Sequence, residues 1–396
     1  MSEEGYRQRE NGIFTRAIHG GFEPQDEFTW PIMPSIVVSA VFEQETPGRD
    51  REFRYSRIRN PTRTVLEKSL AEIENAKYAL CFSSGLGAAT TIISVLSSGD
   101  HIIAGEELYG GTYRLFKEIF PRMGMQTTFV DTRDPKNIEN AMTEKTKLVW
   151  IETPTNPILR ITDIKSVSEV VHKQEGVLLV VDNTFQTPYF QRPLELGADI
   201  SMYSLTKYMN GHNDCIMGSI STNQESIYEK LHFLQHALGI IPSPHDCHQL
   251  YRSLKTLPLR MEQHMKNGLA LAKYLEKQPQ VEKVIYAGLT SHPQHDLVKK
   301  QCYGTSGMLS FYIKGDFNET KKFIKALKII KYTGSLGGAG TTVVVPSYMS
   351  HVMLSNEEKI KLGITDNLIR VSVGLESIDD IIADFDQAFK YLLNSK

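Results

Sequence analysis

The sequence predicts an α/β protein: a mostly parallel sheet flanked by helices, followed by a smaller C-terminal α/β domain. Three observations carry that prediction. Short apolar runs alternate with amphipathic stretches from about residue 60 onward, the pattern changes after Pro242-Ser243-Pro244, and polar residues stand where the apolar runs stop. Taken in order, residues 1–58 hold Pro24, Pro31, Pro34 and Pro47 and little periodicity, which predicts an arm that wraps a neighbour or the body of the protein. Runs at 78–82, 101–104, 148–152, 178–182 and 200–204 predict strands, with helical patterns at 63–74, 113–120 and 164–172 between them. Strands separated by helices pair in parallel by crossover, and ligands then gather outside the strands' carboxyl ends. Asp182 and Ser204 fall at such ends. Further on, an amphipathic stretch over 247–277 leads to predicted strands at 281–287, 308–313 and 368–373, with a helix at 318–327. Ile378, Ile381, Ile382, Phe385, Phe389 and Leu392 form a helical stripe, and Ser377 with Asp380 is a plausible cap for it. The expected boundaries are 1–58, 59–246 and 247–396.

The bulk composition narrows the function classes. The chain has 396 residues, with 44 Lys and Arg against 46 Asp and Glu, a net charge of -2. No global field draws it to nucleic acid or to an acidic membrane, so any anion site must be local. Cys81, Cys215, Cys247 and Cys302 lie far apart without a C-x-x-C pair, which predicts reduced thiols in a cytoplasmic protein. Residues 1–11 are polar and charged, unlike a signal peptide, and no apolar stretch reaches membrane-spanning length. His245-Asp246-Cys247-His248 has the residue types of a metal cluster, but consecutive residues on a helix point apart and no second pair has zinc-like spacing. Polarity at a helix start accounts for it better, and no metal is expected.

The chemistry concentrates around Lys207, in Tyr203-Ser204-Leu205-Thr206-Lys207 directly after a predicted strand. The preceding strand ends in Asp182. An acid at one strand end and a lysine flanked by hydroxyls after the next is what a pyridoxal-phosphate (PLP) enzyme needs. The lysine amine bonds to the cofactor aldehyde, and the carboxylate keeps the pyridine nitrogen protonated so that the ring can accept electrons. Ser204 and Thr206 can reach the cofactor phosphate. Ser83-Ser84-Gly85-Leu86-Gly87 follows a strand and opens a helix, whose free N–H groups suit a phosphate, although such turns are often only turns. Tyr109 stands at a strand end before Gly110-Gly111; it is either a ring to lie on the pyridine or a buried tyrosine by a turn. Asn156, in Glu152-Thr153-Pro154-Thr155-Asn156-Pro157, could donate to the cofactor's phenolic oxygen. Arg370 lies inside a strand pattern, either as a solvent-facing charge or as a bidentate clamp on an α-carboxylate, with Ser335 of Ser335-Leu336-Gly337-Gly338 able to add a hydroxyl.

Taken together, Tyr55-Ser56-Arg57 with Asn60-Pro61-Thr62, Ser84-Gly85-Leu86, Tyr109-Gly110-Gly111-Thr112, the Glu152–Pro157 segment, Val181-Asp182-Asn183-Thr184, Thr206-Lys207-Tyr208, Ser335-Leu336-Gly337-Gly338 and Ile369-Arg370-Val371-Ser372-Val373-Gly374 resemble the Cys/Met-metabolism family of PLP enzymes over nearly the whole chain. Tyr208-Met209-Asn210-Gly211-His212 and Ser291-His292-Pro293-Gln294-His295 are most similar to its cystathionine γ-lyase branch. The resemblance implies PLP-dependent fold type I, aminotransferase-like, with a PLP-binding domain over 59–246 and a substrate-binding domain over 247–396. It also implies a homotetramer of two tight dimers. Lys207 would carry the cofactor, Asp182 would pair with its ring nitrogen, and Tyr109 would stack on the ring. Gly85, Leu86, Ser204 and Thr206 would hold the phosphate, with Tyr55 and Arg57 reaching it from the neighbouring subunit. Arg370, Ser335 and Asn156 would position the substrate carboxylate and the cofactor oxygen, and Arg114 joins the substrate-facing set.

The distal pocket departs from that pattern. Cystathionine-cleaving relatives carry glutamate immediately before the Ser-Leu-Gly-Gly loop, where this chain has Gly334; Arg54 stands where they have an acid, and Arg59 where they have a small residue. An acid suits cystathionine's distal ammonium, whereas arginines suit an anion. The expectation is γ-elimination of cystathionine to cysteine, 2-oxobutanoate and ammonia, with altered or relaxed distal preference. The alternatives are γ-replacement on an activated homoserine, a methionine γ-lyase-like activity, disfavoured by Gly111 in place of a cysteine, or a non-catalytic binding protein.

Overall fold

The computed structural model describes residues 5–9 and 12–394. Of the polar leader read over 1–11, residues 1–4, 10 and 11 lie outside the described residues. The larger sheet has seven strands: β1 (Tyr78–Phe82), β2 (His101–Gly105), β3 (Gln126–Val130), β4 (Thr146–Glu152), β5 (Leu178–Asp182), β6 (Ile200–Ser204) and β7 (Gly218–Thr222). Their spatial order is β1-β7-β6-β5-β4-β2-β3. Every pairing from β3 to β6 is parallel, while β7 runs antiparallel to both β6 and β1. Alternate residues divide between two cores. Ile102, Ala104, Leu148, Trp150 and Val180 face one, and Ile103, Val149, Ile151, Leu179 and Val181 face the other. Helices cover both faces, which is why these strands read as unbroken apolar runs.

Two strands gave no such signal. β3 is an edge strand with partly exposed Gln126, Thr127 and Thr128, and β7 is Gly-Ser-Ile-Ser-Thr, buried without an apolar run. Gly218 is required there, because a Cβ would lie 2.3 Å from the Ser84 carbonyl oxygen. The segment 113–120 is also not one α-helix: a turn over Gly110–Arg114 continues as a π-turn, Leu115–Ile119, and then a 3-10 turn, Phe120–Met123, where Pro121 cannot donate.

The smaller sheet has five strands: β8 (Val281–Ile285), β9 (Met308–Ile313), β10 (Lys331–Tyr332), β11 (Thr342–Val344) and β12 (Leu368–Ser372), in the order β10-β11-β12-β9-β8. β10 and β11 are too short to leave a period in the sequence. The helix Ile378–Asn394 buries Ile381, Phe385 and Phe389 with Leu309, Phe311 and Ile369. The stretch 247–277 is two helices, Pro244–Leu254 and Leu257–Leu275, with Pro258 at the start of the second. The first lies on the helix Pro61–Glu74 and shares its core, Leu250 and Leu254 meeting Leu66 and Leu70. Ser243 caps it by accepting from the His245 N–H.

The arm divides into two parts. Its helix Ile13–His19 tucks Ile13 and Ala17 into that same core. Beyond it, Phe28, Trp30 and Ile32 are 100%, 64% and 83% exposed, an apolar surface this chain does not cover. Among the described residues, no helix is long and apolar enough to cross a membrane, and no cluster of His, Cys, Asp and Glu could hold a metal ion.

Candidate active site

The carboxyl ends of the strands open onto a cavity of about 440 Å³. Asp182 ends β5, Ser204 ends β6, Glu152 ends β4, and the turn after β1 contributes Ser84, Gly85 and Leu86. The smaller domain closes it with Gly334, Ser335, Leu336, Met349 and Arg370. Lys207 follows β6 in a tight turn, its N–H donating to the Ser204 carbonyl at 3.2 Å. Gly337, at φ +74°, lets the Ser335–Gly338 loop press on that turn; a Cβ there would stand 2.5 Å from the Tyr208 nitrogen and 3.0 Å from the Lys207 carbonyl carbon. Only glycine tolerates both that contact and that left-handed backbone.

Lys207 is a cation under opposing pressures. Burial and the nearby Arg370 lower its pKa, Asp182 raises it, and the result is about 8. Its Nζ donates to Ser335 Oγ at 2.9 Å. Burial raises the Asp182 carboxyl, and Thr184 opposes this by donating its hydroxyl at 2.6 Å and its N–H at 3.1 Å, with Lys207 also favouring the anion. Thr184 Oγ1 accepts in turn from the Ser204 N–H at 2.9 Å, so β5 and β6 are tied at the carboxylate. Parallel register sets Glu152 beside Asp182. Burial first, then the Asp182 charge, pushes Glu152 well above the usual carboxylate range. It accepts from the Tyr109 N–H at 2.8 Å.

Arg370 is buried, which lowers its pKa to about 10 and leaves it a cation. Nη1 donates to Asn156 Oδ1 at 2.9 Å and Nη2 to the Ser335 carbonyl at 2.6 Å, while Nε is buried without a partner. At the opposite corner, Ser84 caps the helix Gly85–Ile93 through the Gly87 N–H at 2.9 Å, leaving the Gly85 and Leu86 amides at the open helix end. A Cβ at Gly85 would sit 3.0 Å from Ser204 Cβ, so glycine is what lets the helix end approach β6. Thr206 Oγ1 bonds to the Met217 carbonyl at 3.2 Å and accepts its N–H at 3.1 Å.

One cavity thus gathers Lys207, Asp182, Tyr109, Gly85, Leu86, Ser204, Thr206, Asn156, Arg370, Ser335 and Gly334. It does not gather the arm residues or Arg114. Tyr55 is exposed, and Arg57 Nη1 donates to the His236 carbonyl at 2.6 Å. Arg54 pairs with Asp50 at 3.4 Å, Arg59 with Glu52 at 3.9 Å, and Arg114 Nη2 meets Met353 Sδ at 2.6 Å. Sequence reasoning assigned no role to Thr184 or Glu152. The Asp-x-Thr spacing was a legible turn signal for the first; the second depends on register across strands.

Comparison with known proteins agrees with this geometry. Residues 14–390 match the family model described as Cys/Met metabolism PLP-dependent enzyme. The cystathionine gamma-lyase of Sus scrofa is 50% identical over 390 residues, covering 98% of this chain and 96% of the pig protein. The crystal structure of metB from Corynebacterium glutamicum aligns with a TM-score of 0.93 at 40% identity, over 98% of this chain and 99% of that one. The structure of cystathionine gamma-lyase from Lactobacillus plantarum complexed with L-serine gives 0.92 at 37% identity, over 96% and 99%.

Proposed function

This chain belongs to the Cys/Met metabolism family of PLP-dependent enzymes, and from that premise we propose that it is a carbon–sulfur lyase that converts cystathionine to cysteine, 2-oxobutanoate and ammonia by γ-elimination. The observation that carries the reading is the meeting of Lys207, Asp182 and Arg370 in one cavity at the strand ends.

The cavity's own chemistry suits pyridoxal phosphate. It offers an amine depressed to about 8, a carboxyl braced by Thr184, and free helix amides beside Ser204 for a phosphate. When bound, the cofactor supplies an electron sink conjugated to the substrate's α-carbon. Lys207 would hold it, Asp182 would pair with its ring nitrogen, and Tyr109 would stack on the ring. Gly85, Leu86, Ser204 and Thr206 would hold its phosphate, and Asn156 would donate to its phenolic oxygen.

The substrate's α-carboxylate goes to Arg370, whose unpartnered Nε is a donor already aimed from a buried position. Lys207 Nζ then takes the Cα proton, because a base near neutrality is matched to that task. Ser335 Oγ, within 2.9 Å, steadies the amine between transfers. Once that proton has been passed on, Lys207 would remove a Cβ proton as the Cγ–S bond breaks. The departing sulfur takes up a proton to leave as cysteine, and the four-carbon remainder takes up water on release to give 2-oxobutanoate and ammonia. Phe185, Leu336 and Val344 line the cavity and keep water from the reacting carbon.

The assembly proposed is a homotetramer of two dimers, in which Tyr55 and Arg57 reach the neighbouring subunit's phosphate and Arg54 and Arg59 flank that site. Their position outside this chain's own cavity, on an arm with exposed Phe28, Trp30 and Ile32, supports it. The four buried, unbridged cysteines suit a reducing compartment, and the cytoplasm is the proposed location. With Gly334 contributing no carboxylate, the distal end of the substrate is held loosely and preference is relaxed.

Side-by-side kcat/KM values for cystathionine, cysteine, methionine and homoserine esters test the reading. Cystathionine should rank first, and absence of elimination from all of them, read as 2-oxobutanoate or, for cysteine, as pyruvate, would overturn it. Diversion of a homoserine ester to cystathionine by added cysteine would instead establish γ-replacement.

A further inference from the structure

One buried cation contacts the arm segment that carries Tyr55 and Arg57, beside bonds from Asn60 and the 39–41 segment. Arg63, on the helix Pro61–Glu74 and only 2% exposed, turns its guanidinium toward backbone. Nη1 donates to the Ser56 carbonyl at 3.0 Å, and Nη2 to the carbonyls of Ile58 at 2.6 Å and Arg57 at 3.4 Å. Three successive carbonyls on one rigid fork fix the path of the chain there, because the donor directions cannot be adjusted separately. Behind the fork, Nε lies 3.6 Å from Glu67 Oε1, one turn along the same helix.

That Glu67 oxygen also accepts the Cys81 N–H at 2.9 Å and Gln235 Nε2 at 3.0 Å, and Gln235 Nε2 donates to the Cys81 carbonyl at 2.7 Å. Cys81 lies in β1, at the edge of the sheet, so these two side chains bond its peptide where a further strand would otherwise pair. Three residues later comes Ser84, the cap of the helix at the phosphate corner. Polar contacts therefore run from the segment this subunit extends outward to Cys81, three residues along the chain from the rim of its own cavity.

We infer that Arg63 and Glu67 are a positioning pair that presents Tyr55 and Arg57 to the cofactor phosphate of the neighbouring subunit, registered against this subunit's own β1 and glycine turn. The inference rests on the proposed reading that the arm completes a neighbour's site. It makes Arg63 act in trans, although it is buried within its own chain.

Complementation separates the possibilities. Arg63→Met should raise the dissociation constant for pyridoxal phosphate, followed by fluorescence titration, about 10- to 100-fold, the usual effect of removing a residue that orients a ligand-holding group. Co-expression with Lys207→Ala subunits yields mixed oligomers, in which the site retaining Lys207 receives its arm from a chain with intact Arg63. Affinity at that site should return to the wild-type value. Failure of Arg63→Met to be restored, while Arg57→Ala is restored by the same partner, overturns the inference and leaves the arm reading standing. If Arg57→Ala is not restored either, the arm reading fails and the inference with it. Should Arg63→Met not fold, the isosteric Glu67→Gln takes its place, with the same outcomes.

Discussion

Lys207 shows how a single side chain acquires its reactivity from its surroundings. A lysine on the surface is protonated at neutral pH; here burial and Arg370 outweigh the attraction of Asp182 and bring it to about 8. The reactive form is the neutral amine, and its fraction falls tenfold for each pH unit below that value. The rate at which ligand-free protein captures pyridoxal phosphate, followed by absorbance, should therefore climb steeply toward about pH 8 and level off above it. A rate that stays flat across that range would contradict the assignment. Arg370 was ambiguous in the sequence and is resolved by burial. Arg370→Lys keeps a charge but loses the fork, and one hydrogen bond lost to a carboxylate, at about 1.5–3 kcal/mol, predicts a loss in kcat/KM of about 10- to 150-fold, carried mainly by KM. Lys207 and Asp182 were legible as candidates because their chemistry limits what they can do beside apolar runs, whereas Arg370 needed its burial. Thr184 and Glu152 were not, since their roles come from partners brought alongside by strand pairing.

At the scale of elements, the loop Ser335–Gly338 matters most, because it brings the smaller domain onto the turn after β6. Gly337→Ala would add a Cβ 2.5 Å from the Tyr208 nitrogen in a left-handed conformation. We expect a loss of about 1–3 kcal/mol in stability by thermal unfolding. The loop should also withdraw from Lys207, lowering kcat/KM at least about tenfold, as small displacements of reacting groups do. Unchanged kinetics would mean that the loop does not set the position of Ser335. Five of the seven strands in the larger sheet were readable, since burial on both faces demands continuous apolar runs. β3 and β7 were not: one lies at an edge, and the other fills a narrow gap with small hydroxyl residues.

For the whole molecule, the prediction concerns the arm. Its first helix belongs to its own subunit's core, whereas Phe28, Trp30 and Ile32 present apolar surface to the outside. Exposed apolar residues concentrated on one segment mark an association surface. Sedimentation should find a tetramer, and Ile32→Glu should shift it toward smaller species with weaker retention of pyridoxal phosphate. A monomer that keeps full activity would refute the proposed assembly.

The amino-acid sequence by itself determined the alternating architecture, the lysine and acid placed at or just after successive strands, and the family pattern that runs through them. Each of these is local, written in periodicity or in residues whose chemistry allows few other uses. Tertiary structure alone decided that Glu152 stands beside Asp182, that Arg370 is buried against Asn156, and that Tyr55, Arg57 and Arg114 lie outside the chain's own cavity. Those outcomes depend on distances between segments far apart in the chain, and on the desolvation that arises only once they are packed together.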